Sequence, residues 1–432
     1  MNRRAEAERS RTSFRGGGDH TRSGSEEEQN VSPEIEPFTI VREKLDQAVG
    51  VLQEKDLDLW LTFVRETTQV KDPCIDLIVG FDLTWQSALM ITRTGERIAI
   101  VGRYEVENVK NIGGYTTVIG YDQSIREPLL EQIQRINPRT IGVNYSESDP
   151  SADGLTHGMF RVLANILGGT EYAARIVSAE SVIAALRGRK TPAEVARIRA
   201  AIGATQGILR EVEALAKPGM TEREIAAFVH ETVEERGLGV AWEWEFCPIV
   251  CAGPEGVFGH RMPGDHKTQR GALLQIDFGA KRDGFVADLQ RTMYFCRPGE
   301  EQPPEEVQRA WKAARAALEA GRAALRPGAK GWEVDAAARK ALVEAGYPEY
   351  MHAFGHHIGR NAHDGATILG PKWERYGTSV EGIVEVGNVF AIELGVHVPG
   401  YGYIGCEEDV IVTEEGAEYL SEVQEEIWCI HK

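Results

Sequence analysis

The chain has 432 residues and a formal charge of −18, from 48 Lys plus Arg against 66 Asp plus Glu. That balance argues against bulk electrostatic attraction to nucleic acid or an anionic membrane, and the length exceeds a usual single core, so two folded domains are expected. Hydrophobic residues at 42% suffice for substantial cores, while no segment has the unbroken apolar length of a membrane span, so a soluble protein is expected.

Residues 1–35 are polar and rich in Gly and Ser, with too little apolar material to offset the entropy of ordering, and are expected to be a disordered leader. They contain no apolar stretch of the kind a secretory signal needs, which points to the cytoplasm. Cys74, Cys247, Cys251, Cys296, Cys406 and Cys429 are scattered, unlike a small secreted scaffold, and Cys247 and Cys251 are too widely spaced for a CxxC zinc knuckle. From 39 to 54 an apolar stripe of Ile40, Leu45, Ala48, Val49 and Leu52 predicts a helix. Strand-like runs follow at 57–63, 87–91, 97–101, 116–119 and 140–143, with a helix over 125–136. This mixture reads as an α/β domain over 36–180. It has no Gly-rich phosphate loop at a strand–helix junction and no catalytic constellation, so a role in substrate access or assembly is expected.

A second domain is expected over 181–432. Here TPAEVARIRAAIGATQGILREVEAL predicts a long helix, KPGM a turn, and Thr221 with Glu224 the capped start of a second helix. PEEV and RPGA near residues 304 and 327 repeat that helical hairpin. Each pair is followed by sequence able to supply strands, at 242–250 and 271–295 after the first and at 389–396 and 409–412 after the second. The second half therefore reads as an internal duplication, which places a site where the halves meet. Trp242, Trp244 and Phe246 alternate, as a strand face toward substrate or toward a packed core would.

The run GALLQIDFGAKRDGFVADLQRTMYF, residues 271–295, concentrates the chemistry. Its first part puts Leu273, Gln275 and Asp277 on one face and Leu274, Ile276 and Phe278 on the other. Asp283-Gly284 suits a tight reversal, and antiparallel pairing beyond it would bring Asp288 opposite or diagonal to Asp277. Two adjacent carboxylates repel, and a divalent cation relieves that repulsion. The alternative is that one Asp is a turn residue and the other lies on a wet edge.

Downstream come MHAFGHHIGRNAHDG, NVFAIELG and GCEEDVIVTEEG. Taken with the hairpin, these motifs over residues 185–420 resemble the creatinase and methionine aminopeptidase superfamily (metallopeptidase family M24) with its pita-bread fold. The two-domain layout is most like the aminopeptidase P and prolidase branch. The resemblance implies an α/β (α+β) fold in which a pita-bread domain with an internal pseudo-twofold repeat follows a smaller creatinase-type α/β domain. It implies a dinuclear site, with Asp277, Asp288 and Glu407 on one metal and Asp288, His356, Glu393 and Glu407 on the other. This oxygen-rich ligand set suits Mn2+ and accepts Co2+, Zn2+ or Fe2+. The implied reaction is hydrolysis of an Xaa-Pro bond near a free N-terminus by a metal-bridging water or hydroxide, with Glu393 as proton shuttle. By the same resemblance His260 and His363 contact substrate or stabilise the tetrahedral intermediate, His352 is the extra histidine of the proline-specific branch, and a homodimer is expected. Of the neighbouring groups, His357 is expected to shape the pocket, Asp364 to fix His363, and Glu408 and Asp409 to orient neighbours or face solvent.

Three positions depart from the pattern. Gly405 stands where proline-specific relatives often carry Arg, Gln290 replaces a common Thr, and Leu394-Gly395 follows Glu393 where Pro-Gly is common. These departures leave open an M24-fold hydrolase or lyase acting on a non-peptide small metabolite. Another class, a noncatalytic interaction protein, is disfavoured by the full ligand set.

Overall fold

A computed structural model describes residues 36–256 and 259–432, so the expected leader lies outside the described residues. The first sheet is mixed and six-stranded, in the order β4-β3-β2-β1-β5-β6, from β1 (Leu59–Val64), β2 (Ser87–Thr92), β3 (Arg97–Gly102), β4 (Thr117–Tyr121), β5 (Ile141–Val143) and β6 (Ile176–Ser178). The central strand β1 shows why helices cover both faces. Trp60 and Val64 join one core with Leu45 and Leu52 of helix Thr39–Glu54, whereas Leu59, Leu61 and Phe63 join another with Leu129 and Ile133 of helix Arg126–Ile136.

The rest of the chain builds two helix-on-sheet units from the duplicated segments. Helices Pro192–Leu215 and Glu222–Glu235 open with reciprocal capping boxes, Thr191 with Glu194 and Thr221 with Glu224. Each cap satisfies otherwise orphaned N–H groups and contributes about 1 kcal/mol. Ile198, Leu209, Ile225 and Val229 of this pair pack on Ile276, Leu289 and Met293. These belong to a four-stranded sheet of order β18-β12-β9-β8, formed by β8 (Ile249–Ala252), β9 (Leu273–Phe278), β12 (Leu289–Phe295) and β18 (Trp428–Ile430). Helices Glu305–Ala324 and Gly331–Glu344 repeat the plan, with Val307, Trp311, Val334 and Leu342 against Phe390, Ile392, Ile404 and Val410. Their sheet runs β14-β13-β15-β16-β17, from β13 (Gly355–His357), β14 (Ile368–Leu369), β15 (Val389–Val398), β16 (Gly402–Thr413) and β17 (Gly416–Tyr419). Strand β16 lies against β9 and β12, so the two units meet along these three strands.

A small sheet joins β7 (Gly239–Val240), β10 (Ala280–Arg282) and β11 (Phe285–Val286). The β10–β11 reversal uses Asp283 at φ 51° and Gly284 at φ 80°, the two positive values a two-residue hairpin turn needs, and Arg282 pairs with Phe285 across it. The strand expected over 242–250 forms only from Ile249. Between them the Phe246 and Cys247 N–H groups both bond the Glu243 carbonyl and close a turn, and Pro248 has no N–H to give a ladder. Among the described residues no helix is long and apolar enough to cross a membrane.

Buried charges tie the first helix to the start of the helical repeat. Lys44 is fully buried and its Nζ lies 2.6 Å from a Glu194 carboxylate oxygen, while also donating to the carbonyls of Leu186 and Arg189. Burial lowers the Lys44 pKa, and Glu194 acts against that. Replacing Lys44 by Met is expected to cost about 3–5 kcal/mol in urea unfolding, because Glu194 is left charged and buried. The double variant Lys44→Met with Glu194→Gln should recover most of that loss. A single variant within about 1 kcal/mol of the parent contradicts a charge-based role.

Candidate metal and catalytic site

Strand register brings the acidic residues together. Glu393 and Glu407 are direct partners across β15 and β16. Asp277 on β9 pairs with Gln290, so Asp288, two residues earlier, sits diagonal to it, one of the two placements expected. His356 arrives on β13, which pairs with β15 one residue from the Gly355–Ile392 pair. All five line one cavity of about 850 Å³. One candidate ligand atom from each of Asp288, His356 and Glu407 lies within 4.8 Å of the others.

The electrostatics of this cluster are those of acids short of a counter-charge. Burial, then Asp288 and Glu393, holds the Asp277 carboxyl well above the usual range. Burial with Asp409 does the same to Asp288, and burial with Asp288 and Asp277 to Glu407. Burial pushes Glu393 up to about 7, against hydrogen bonds from Tyr350 Oη at 3.2 Å and Gln290 Nε2 at 2.9 Å, both to Glu393 Oε2. Asp277 Oδ1 and Glu407 Oε2 are buried without a hydrogen-bond partner. His356 completes the set as a neutral donor. Its Nδ1 is 2.9 Å from the Ala362 carbonyl, which can only accept, so the proton sits on Nδ1 and Nε2 keeps its lone pair 3.9 Å from Asp288 Oδ2. Burial, with His363 beside it, pushes the His356 pKa down to about 3. Unpartnered carboxylate oxygens, mutually repelling acids and an unprotonated imidazole nitrogen are the donor set a divalent cation requires, so these residues fit a metal.

The remaining expected residues also reach the cavity. His260, His352 and His363 line it, and the His363 ring meets His356 edge-on with centroids 4.4 Å apart. Burial lowers the pKa of His363 and of His352. Trp242 and Phe246 line the wall from the turn before β8, whereas Trp244 stacks on His230 at 4.1 Å.

Several neighbours differ from expectation. Asp364 does not serve His363. Its carboxylate bonds Lys190 Nζ at 2.9 Å and the Arg187 guanidinium, its N–H bonds the His357 carbonyl, and Arg360 N–H donates to it, so it pins the loop between His356 and His363. Burial raises its pKa, yet Lys190 and Arg187 hold it well below the carboxylate range. Glu408 and Asp409 are buried, which removes the solvent-facing alternative. Glu408 binds Arg291 at 3.1 Å and Ser421 at 2.6 Å, and Asp409 Oδ2 accepts the Asp288 N–H at 3.2 Å. His357 packs on Phe390 at 4.1 Å and does not line the cavity. Tyr350 and the hydrogen bond of Gln290 were not anticipated. Residue 350 falls in an irregular segment where spacing carries no signal, although its place two residues before His352 was a positional hint.

A family model described as "Metallopeptidase family M24" matches residues 196–414, half of the chain, from within helix Pro192–Leu215 to just past the end of β16. The chain belongs to metallopeptidase family M24. An uncharacterized peptidase of Staphylococcus aureus (strain bovine RF122 / ET3-1) is 26% identical to it over 335 residues, covering 77% of this chain and 87% of that protein. Among solved structures it is similar to the X-Pro aminopeptidase from Thermotoga maritima MSB8, at 23% identity and TM-score 0.66 over 89% of this chain and 99% of that one. It is also similar to an Xaa-Pro dipeptidase from Bacillus anthracis, at 21% identity and TM-score 0.68 over 90% and 100%. These likenesses establish the fold: this M24 peptidase carries a pita-bread domain behind an N-terminal α/β sheet.

The raised carboxyls give the metal-free M24 peptidase a characteristic pH response. A carboxyl whose pKa is raised on folding contributes stability that is present at low pH and lost as pH rises through the folded value. The buried histidines have the opposite sign but are neutral in both states above about pH 7. The metal-free unfolding free energy is therefore expected to fall between about pH 7 and pH 8, by up to about 1.4 kcal/mol per pH unit for each proton released, and the thermal midpoint to fall with it. Saturating Mn2+ should raise it more at the higher pH, since metal displaces protons. Scanning calorimetry showing a midpoint insensitive to pH contradicts this reading of the cluster.

Proposed function

We propose that this M24 peptidase hydrolyses the bond between an N-terminal residue and a following proline, with two divalent metal ions, best matched by Mn2+, held by Asp277, Asp288, His356, Glu393 and Glu407. The observation that carries the proposal is the convergence of three buried carboxylates (Asp277, Asp288 and Glu407), the part-buried Glu393 and one unprotonated imidazole nitrogen on a cavity with histidines and aromatic side chains in its wall. The aminopeptidase and dipeptidase named among the similar structures support it.

When bound, such a pair lowers the pKa of a water and polarises the scissile carbonyl. Glu393 takes up the proton from that water and passes it to the leaving nitrogen. Tyr350 Oη and Gln290 Nε2 hold this carboxyl through Oε2, which fixes its orientation for that transfer. In this reading His260 and His363, which line the cavity, donate to the carbonyl oxygen as its carbon becomes tetrahedral, and His352 contacts the proline side. Ile249, Trp242 and Phe246 supply apolar wall for the pyrrolidine ring. A second reading, a small amide or other metabolite as substrate, is favoured by one observation: Gly405 projects no side chain where proline-specific relatives often carry Arg.

A panel of Xaa-Pro dipeptides and longer Xaa-Pro peptides, assayed with Mn2+ and with Co2+, is expected to show release of the N-terminal residue. Glu393→Gln should lower kcat by about 10²–10⁴-fold. Failure of metal-replete protein to cleave any Xaa-Pro peptide, with turnover of a small non-peptide amide instead, replaces the first reading by the second.

A further inference from the structure

The two departures at positions 290 and 405 are one physical feature. Gln290 Nε2 donates to Glu393 Oε2 at 2.9 Å, and Gln290 Oε1 accepts from Gln275 Nε2 at 2.9 Å. Both glutamines are buried, at 1% and 0% exposure, and the hydrogen bonds of the Gln290 amide go to Gln275 and Glu393, while Gln275 Oε1 is buried without a partner. Because Gln275 occupies the carbonyl end of Gln290, the NH2 end must face the carboxylate. A Cβ at Gly405 would stand 2.1 Å from Gln290 Oε1 and 3.0 Å from Gln275 Cγ. Strand β16 cannot readily withdraw, since Thr292 Oγ1 donates to the Gly405 carbonyl at 2.9 Å and accepts its N–H at 3.1 Å. Gly405 does not adopt a positive φ, so its lack of a side chain answers a need for space.

We propose that Gln290 is a positioning residue for Glu393, and that Gly405 is the residue that admits it. Gln275 orients the Gln290 amide, and that amide with Tyr350 holds one oxygen of Glu393, which leaves Oε1 for the metal and the moving proton. Any side chain at 405 displaces the free end of Gln290, a flexible group, and breaks the link to Glu393 without dismantling the strands. The proposal rests on the reading of Glu393 as metal ligand and proton carrier.

The test compares Gln290→Ala, Gly405→Ala and the double variant in the full-length chain. The readouts are the Mn2+ dissociation constant by calorimetry, kcat and KM on the best Xaa-Pro dipeptide, and the thermal midpoint. Each single variant is expected to lose about tenfold or more in kcat, the worth of a hydrogen bond to a charged group, with KM within about twofold and weaker Mn2+ binding. The double variant should be no worse than Gln290→Ala, because both changes cut the same link. Losses that multiply overturn the proposal, as does a Gln290→Ala protein that loses thermal stability alone while keeping parental kcat and Mn2+ affinity. If Gly405→Ala does not fold, Gln275→Leu tests the same chain without added bulk at 405, and is expected to lower kcat and Mn2+ affinity by less than Gln290→Ala; no change in either overturns the proposal. Should the parent cleave no Xaa-Pro peptide, the proposed reaction fails by itself, and the Mn2+ affinities of the variant cycle still decide the link.

Discussion

The structure depends on one electrostatic constraint: four carboxylates, three of them buried, share one cavity in which the imidazole ligand is neutral. Placing even two ionised acids side by side in a low dielectric is unfavourable, and the cavity answers by holding protons on groups that would shed them in water. That state leaves Asp277 Oδ1 and Glu407 Oε2 buried without a hydrogen-bond partner, at a desolvation cost. A divalent cation resolves the repulsion and the orphaned oxygens together.

Rigid strands make the constraint bearable. The Glu393–Glu407 register pair, the diagonal placement of Asp277 and Asp288, and the arrival of His356 beside β15 all come from backbone ladders. A surrounding tier of charges holds those ladders in place. Arg291 is buried and reaches the Gln290 and Glu407 carbonyls as well as Glu408, so it bridges β12 and β16 behind the acids. Asp364, gripped by Lys190 and Arg187, anchors the loop from His356 to His363. The helical repeat delivers the same helix-on-sheet unit twice, and the site lies where the two units meet.

Much of this was legible from residue order, and the reasons differ by feature. The start at Thr221 was readable because a capping box is a local device, and the Asp283-Gly284 reversal because its two positive φ angles favour those residues. The five acid and imidazole positions were readable only as a set, through the family they resemble. The turn at 243–247 was not, since alternating Trp and Glu carry a strand's period whether or not a partner strand exists. Asp364 was assigned to the wrong partner because Lys190 and Arg187 lie some 170 positions earlier in the chain. Gly405 and Gln290 looked like two unrelated losses; only the separation between their atoms shows one filling the space the other leaves.

The most direct test is diffraction from crystals of the Mn2+-loaded protein at the manganese absorption edge. Two anomalous peaks are expected in the cavity, contacted between them by Asp277, Asp288, His356, Glu393 and Glu407. Manganese bound elsewhere, or a cavity in which these carboxylates contact no metal, contradicts that expectation.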